Sequence, residues 1–158
     1  MAKQVRYAAW SRTGRVRSKN QDNLYCAGVL CRAEDNDGME EPHCAVSDIG
    51  TGQLFAVFDG MGGEKAGETA AYLAADCMRQ ADSRYPGWKK ALSPRQFFLS
   101  YCLEANRKID DLRRARRFQA MGTTAAAASV DAVRSCKERS RPAQGGCAPF
   151  FIRHRAAW

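Results

Sequence analysis

The chain has 158 residues, of which 45% are hydrophobic and 27% are charged, and its formal net charge is +8. This length suffices for one domain with a sizeable core, and the composition excludes a wholly disordered chain. The positive net charge is compatible with binding to nucleic acid, to an anionic membrane or to phosphorylated partners, and also with a role in solubility alone. No apolar stretch approaches the roughly 18 residues of a membrane span, so we expect no membrane-spanning segment.

The seven cysteines are an odd number and form no Cys-x-x-Cys motif. No apolar signal segment follows Met1, so we expect reduced thiols and a cytoplasmic protein. A zinc site made of Cys26, Cys31, His43 and Cys44 is an alternative, but its spacing fits no zinc knuckle.

The first part of the chain predicts strands separated by polar turns. Residues rich in β-formers indicate strands over 4–10, 23–31, 43–48 and 54–58. Residues 11–22 predict a basic, turn-rich loop, and Gly50 and Gly52 supply a turn between the third and fourth strands. The acidic loop 32–42 resembles the start of a calcium-binding loop but lacks the downstream ligands, so a solvated loop is favoured.

Two helices and a further strand are predicted next. Helix formers fill residues 66–82, and Pro86-Gly87 indicates a connector over 83–92. Ser93 and Pro94 predict the start of a second helix that runs to about residue 118. Small residues over 120–130 predict a strand.

The predicted second helix ends in the arginine-rich segment 112–118. Its four arginines suit the negative end of the helix dipole, and a patch for phosphate or an acidic partner is the alternative interpretation. Beyond residue 130 the chain becomes rich in Arg, Ser, Pro and Gly and shows no strand or helix period.

The segment "LFAVFDGMGGEKAGE" poses the main functional question, because an apolar run ends in Asp59 and the glycines Gly60, Gly62 and Gly63 follow. A tight turn is one interpretation, since Asp-Gly is a common turn pair. A dinucleotide-binding loop is a second, although Lys65 stands where its third glycine belongs and Asp59 would repel a phosphate. A metal site is the third, with the carboxylate bridging hard cations and a flexible glycine turning its own carbonyl to the ion.

A metal site would need a second acidic segment. "NQD" at residues 20–22 offers Asp22, and Arg17 lies five residues earlier in the chain. A guanidinium is a rigid fork of donors that suits phosphate oxygens.

Three segments occur in order within residues 5–130, namely "GRVRSKNQDN", "LFAVFDGMGGEKAGETAA" and "MGTT". Together they resemble the metal-dependent protein phosphatases of type 2C, especially the bacterial branch. That family shows Gly-x-Val-Arg-x-x-Asn-Glu/Gln-Asp, Asp-Gly-Met-Gly-Gly, Gly-Glu and Gly-Thr-Thr in this order. The resemblance implies an α+β fold that is part of a four-layer αββα sandwich, two antiparallel sheets flanked by helices.

The resemblance also implies hydrolysis of phosphoserine and phosphothreonine in proteins by a water that bridges two Mg²⁺ or Mn²⁺ ions. Asp59 matches the bridging metal ligand, and Gly60 matches the residue that gives a backbone carbonyl to one ion. Gln21 and Asp22 match the pair near the second ion. Arg17 matches the arginine that holds the substrate phosphate.

At two positions inside these motifs this chain differs from many members of the family. Many members have Glu where Gln21 stands, and a neutral amide is a poorer partner for a cation. His is frequent where Glu64 stands. The implied partners are phosphoproteins, including substrates of a serine/threonine kinase, with no nucleic acid and no membrane.

The later family motifs are absent, and Asp131 is the last aspartate of the chain. We therefore expect residues 1–130 to be the N-terminal part of a phosphatase domain, and residues 131–158 to be a non-homologous tail, frameshifted or disordered. Such a truncated chain should bind metal weakly, dissolve poorly and turn over slowly or not at all. The alternative is a non-catalytic phosphatase-like fragment that binds phosphorylated or acidic partners through Arg17 and the basic helix end.

Overall fold

A computed structural model describes residues 4–32, 38–50, 52–61, 66–88, 92–130 and 150–152 of the chain, with 85–88 and 150–152 as backbone only. The described residues form an α+β fold with two antiparallel sheets and two helices. The elements are, in chain order, β1 (Gln4–Ala9), β2 (Asp22–Cys26), β3 (Val29–Leu30), β4 (His43–Asp48), β5 (Gln53–Met61), α1 (Ala66–Trp88), α2 (Pro94–Arg116), β6 (Gly122–Thr123), β7 (Ala125–Val130) and β8 (Phe150–Ile152).

The smaller sheet pairs β1 with β4, and the larger sheet has the order β3-β2-β5-β7-β8 with β6 beside the end of β5. The segment 43–58 was predicted as a strand, a turn and a strand, and both strands are present. They belong to different sheets, because β4 pairs with β1 whereas β5 pairs with β2 and β7. Strand β5 therefore lies in the interior of the larger sheet, with a paired strand on each side.

Residues 23–31 were predicted as one strand, but they form the β2–β3 hairpin. The chain reverses at Ala27 and Gly28, whose φ angles are 46° and 102°. Gly adopts positive φ at little cost, whereas Ala does so rarely, so Ala27 gave no turn signal in the sequence.

Both predicted helices are present, with a correction at the end of the first. Helix α1 runs to Trp88 and so occupies most of the predicted connector. The predicted cap of α2 is confirmed, since Ser93 Oγ accepts from the Gln96 N–H and Gln96 Oε1 accepts from the Ser93 N–H at 2.9 Å. This reciprocal pair satisfies two backbone donors that the helix itself leaves open.

The main core lies between the larger sheet and the helices. It is built from aromatic, aliphatic and many small residues: Tyr25, Leu54, Ala56, Phe58, Ala66, Ala70, Ala71, Ala74, Ala75, Cys77, Met78, Ala81, Phe97, Phe98, Tyr101, Ala105, Ile109, Met121 and Ala127. The Tyr25 hydroxyl donates to the Asp82 carboxylate, which ties β2 to α1. The Tyr101 hydroxyl donates to the Ala74 carbonyl oxygen at 2.9 Å, which ties α2 to α1.

A second cluster joins the two sheets. Leu24, Cys26 and Cys31 are buried there, and Tyr7 of β1 meets Phe55 of β5 edge-to-face at 5.3 Å between ring centroids. The described residues thus form three layers, namely the smaller sheet, the larger sheet and the pair of helices.

Of the segment 131–158, only the strand β8 belongs to the described residues. Its backbone pairs with β7, where Ala125 is opposite Ile152. The rest of the tail predicted to be non-native lies outside the described residues. Neither of the two described helices is long and apolar enough to cross a membrane.

Candidate functional site

Antiparallel pairing of β2 with β5 places Asp22 directly opposite Asp59. Asp59 shares the sheet face of Val57, which is turned away from the helices, and both residues are exposed. Directly opposed residues on one face have Cβ atoms about 5 Å apart, so their carboxyl groups come within reach of each other. The structure therefore brings together the two acidic segments that the sequence analysis proposed as partners.

The pKa of Asp22 is raised above its ordinary value of 3.8. Partial burial is the main cause, followed by the charge of Asp59 and by a hydrogen bond between the two carboxyl groups. The charge of Arg17 and a hydrogen bond from the Gly60 N–H act in the opposite direction. Two carboxylates held together repel each other, and a proton or a cation between them relieves that repulsion.

Asp22→Asn should stabilise the cation-free protein at pH 7. Because the pKa of Asp22 is higher in the folded chain than in the unfolded chain, its ionised form weakens folding above the folded pKa. Asn mimics the protonated carboxyl, so the gain should shrink as the pH falls and disappear below the ordinary value of 3.8. Solvent screening of this exposed pair limits the gain to about 1 kcal/mol or less.

Urea denaturation of both proteins with EDTA at pH 7 and at pH 3.5 measures this difference. A wild-type chain that is as stable as the variant at pH 7 would contradict the prediction. So would a gain that grows as the pH falls.

The loop before β2 is fixed by Asn20, a residue that the sequence analysis did not single out. Asn20 is buried, its Nδ2 donates to Ser11 Oγ at 2.8 Å, and its Oδ1 accepts from the Asp22 N–H at 3.1 Å. An Asn side chain that binds the backbone two residues later is a known turn signal. It sets the position at which Asp22 enters the sheet.

Arg17 and Gln21 lie beside the acidic pair. Arg17 Nη1 points to Gln21 Oε1 at 3.4 Å, which is a long and weak hydrogen bond. The guanidinium is close enough to Asp22 for its charge to affect that pKa. The structure thus collects the predicted residues at one place, while their roles as ligands remain predictions.

Gly60 lies inside strand β5 and pairs with Thr123 of β6, so the tight-turn interpretation of Asp59-Gly60 is wrong. A Cβ at Gly60 would lie 2.5 Å from the Gly67 carbonyl carbon and still closer to the carbonyl oxygens of Gly67 and Gln21. Gly60 is therefore required by the close approach of three backbone segments. Residues 62–65, with the other glycines of the motif, lie outside the described residues.

The "GTT" segment holds Asp59 from its other side. The Thr124 N–H and the Thr123 hydroxyl both donate to the Asp59 carbonyl oxygen, at 2.9 and 3.0 Å. The Asp59 N–H donates to Thr124 Oγ1 at 3.3 Å. The sequence analysis used this segment only as a family motif and missed its part in fixing Asp59.

A groove of about 710 Å³ opens along this face of the larger sheet. Its lining comes from the strand ends and from the segment after β1: Trp10, Ser11, Arg12, Asp22, Asn23, Leu24, Val57, Phe58, Asp59, Thr124, Ala125 and Ala126. Its volume is in the range of small-ligand sites. The acidic pair therefore borders a groove with apolar surface beside it.

The donors for a metal ion are few. Among the residues that the structure describes, no group of three or more His, Cys, Asp or Glu side chains could hold an ion. The zinc alternative therefore has no support in the described residues, and Cys26 and Cys31 are buried in the second cluster instead. Asp22 and Asp59 supply two carboxylates, which are the oxygen ligands that Mg²⁺ and Mn²⁺ prefer.

Two arginines at the basic end of α2 form ion pairs within the helix. Asp110 accepts from Arg113 at 2.8 Å and from Arg114 at 2.7 Å, and it lies within one turn of both. These pairs lower the pKa of Asp110. Two of the four arginines thus form ion pairs within the helix. This weakens the alternative that the helix end binds phosphate or an acidic partner.

Comparison of the chain with protein-family models, with curated proteins and with solved structures gives no match.

Proposed function

We propose that this chain is a metal-dependent phosphoprotein phosphatase of the type 2C kind, acting on phosphoserine and phosphothreonine. The observation that carries the proposal is the cross-strand pair of Asp22 and Asp59, formed by two sequence motifs that occur in the family order. The proposal includes the finer fold, in which the two sheets and the helix pair are part of a four-layer αββα sandwich. It also includes phosphoprotein partners in the cytoplasm, the products of a serine/threonine kinase.

The residues present fit a divalent cation in their chemistry. Asp22 and Asp59 present carboxylates from adjacent strands, and their mutual repulsion favours a cation between them. Bound Mg²⁺ or Mn²⁺ would supply an acidified water as the nucleophile and would neutralise charge on the phosphoryl group. Arg17, next to Asp22, would hold the phosphate oxygens through its planar fork of donors.

Cation binding should be weak, because the described residues offer two carboxylates and a partly buried neutral amide at Gln21. Affinity for hard cations depends on the number of charged ligands. This shortage of donors favours one second candidate, a non-catalytic protein that binds phosphorylated partners through Arg17.

A titration with Mn²⁺, followed by water-proton relaxation, tests the site. We expect wild-type protein to bind Mn²⁺ with a dissociation constant of roughly 10⁻⁴ to 10⁻³ M, typical of sites with few charged ligands. Asp59→Asn should weaken binding at least about tenfold, since it removes one of two charges. Asp111→Asn, on the exposed face of α2, is the matched control and should bind like wild type.

Hydrolysis of an aryl phosphate with Mn²⁺ on the same folded samples separates the two candidates. Turnover that EDTA and Asp59→Asn both abolish supports the phosphatase. Phosphopeptide binding in EDTA with no turnover supports the binder. Equal Mn²⁺ affinity in wild type and Asp59→Asn would contradict the proposed metal site.

A further inference from the structure

The groove extends beyond the acidic pair to residues that the proposed chemistry does not use. Trp10 and Arg12, here called the lip, line the groove together with Asp22 and Asp59, and Val57 contributes exposed apolar surface. Val57 is 60% exposed although its neighbours on the strand are buried. The groove therefore combines two carboxylates, one exposed apolar side chain and a basic lip.

The lip is held in place by hydrogen bonds. Trp10 Nε1 donates to the Met39 carbonyl oxygen at 3.0 Å, and the Met39 N–H donates to the Ser11 carbonyl oxygen at 2.8 Å. Asn20, which also positions Asp22, donates to Ser11 Oγ at 2.8 Å. The lip and the acidic pair are thus fixed relative to each other before any ligand arrives, which lowers the ordering cost of binding.

Arg12 gives the lip its charge. Its guanidinium carbon lies 5.6 Å from the centre of the Trp10 ring, which restrains it in a cation–π arrangement. None of the carboxylates in the described residues forms an ion pair with it. Because the guanidinium covers that face of the ring, the lip favours an anionic group over a stacked base.

We propose that this groove binds an extended phosphopeptide and that Arg12 selects a carboxylate side chain close to the phosphorylated residue. The phosphate half of this proposal rests on the proposed function, in which the cation would be held by Asp22 and Asp59 and the phosphate by Arg17, whose charge acts on Asp22. The peptide's apolar atoms would cover Val57, which is exposed. Charge complementarity is the basis of the assignment, since Arg12 is an exposed cation that lines the groove and has no ion-pair partner among the described residues.

The test uses four labelled peptides and fluorescence anisotropy at low salt, where screening is weak. The peptides carry either serine or a non-hydrolysable phosphonate analogue of phosphoserine, with either Glu or Gln as neighbouring residues. The proteins are wild type, Arg12→Gln and the matched control Arg15→Gln, an exposed arginine of the same loop that does not line the groove. Both substitutions are at exposed positions, and circular dichroism checks the fold.

We expect the Glu peptides to bind wild type and Arg15→Gln up to about fivefold more tightly than the Gln peptides, as for an exposed ion pair. Arg12→Gln should bind both kinds equally. A wild-type protein without preference for Glu would overturn the proposal, and so would a preference that survives in Arg12→Gln. The phosphonate peptides test the proposed function separately. Equal affinity for the serine and the phosphonate peptides would contradict that function. The selectivity of Arg12 would still be tested by comparing the Glu and Gln peptides.

Discussion

Gly60→Ala is expected to destabilise the folded chain by roughly 3 kcal/mol or more. The added Cβ would lie 2.5 Å from the Gly67 carbonyl carbon and still closer to two carbonyl oxygens. These neighbours are backbone atoms of α1 and of the loop before β2, so no side chain can turn aside to make room. Relief requires a shift of the strand, the helix or the loop, and a shift of the strand or of the loop would move Asp22 relative to Asp59.

Urea denaturation followed by far-ultraviolet circular dichroism measures the loss. Gly14→Ala is the matched control, since a Cβ at Gly14 would meet nothing within 4 Å, and it should leave the midpoint almost unchanged. Gly67→Ala should fall between them, because its Cβ would approach Gly60 only to 2.9 Å and Ala favours a helix over Gly by about 1 kcal/mol. A Gly60→Ala protein as stable as the Gly14→Ala protein would show that the three segments do not meet as described.

Phe58→Ala should cost about 3 to 5 kcal/mol of unfolding free energy. Phe58 is 1% exposed and packs in the main core, on the strand that lies at the centre of the larger sheet. Truncation removes its buried surface and leaves a cavity among helices that cannot fully close over it. Stabilities of small domains are about 5–15 kcal/mol, so this one change would remove a large share of the total.

Val57→Ala provides the control within the same strand. Val57 is the preceding residue, points to the groove and is 60% exposed, so its truncation should cost less than about 1 kcal/mol. The two variants alter opposite faces of β5 and also differ in the size of the side chain removed. Equal losses would mean that the two faces are not buried as the structure places them, with the helices on one side and the groove on the other.

Hydrophobic periodicity and turn residues were sufficient to predict much of the fold from the sequence. The helix start at Ser93, the strand over 43–48 and the small-residue strand after 120 all follow from local chemistry that the structure confirms. The local sequence was insufficient where tertiary contacts determine the backbone conformation or the end of a helix. Ala27 takes a positive φ because β2 and β3 pair on either side of it, and α1 continues beyond residue 82.

The candidate site could be predicted in its residue types but not in its geometry. Motif order suggested that Asp22 and Asp59 act together, yet only the register of β2 on β5 shows them directly opposite each other. The need for Gly60 was attributed to cations, whereas its immediate cause is the contact with Gly67 and the Gln21 carbonyl. Asn20 and Arg12 were overlooked, because Asn20 acts through its bond to Ser11 and Arg12 lines a groove whose other residues come from several strands.

The position of β5 also has a consequence for the order in which the nascent chain acquires its structure. Strand β5 joins β2 from the N-terminal side of the chain, but its other edge pairs with β7, which follows both helices in the sequence. At synthesis rates of roughly 5–20 residues per second, that edge stays unpaired for several seconds after β5 leaves the ribosome. An unpaired strand edge is a template for pairing with another chain, so the nascent chain would be open to such pairing until β7 emerges.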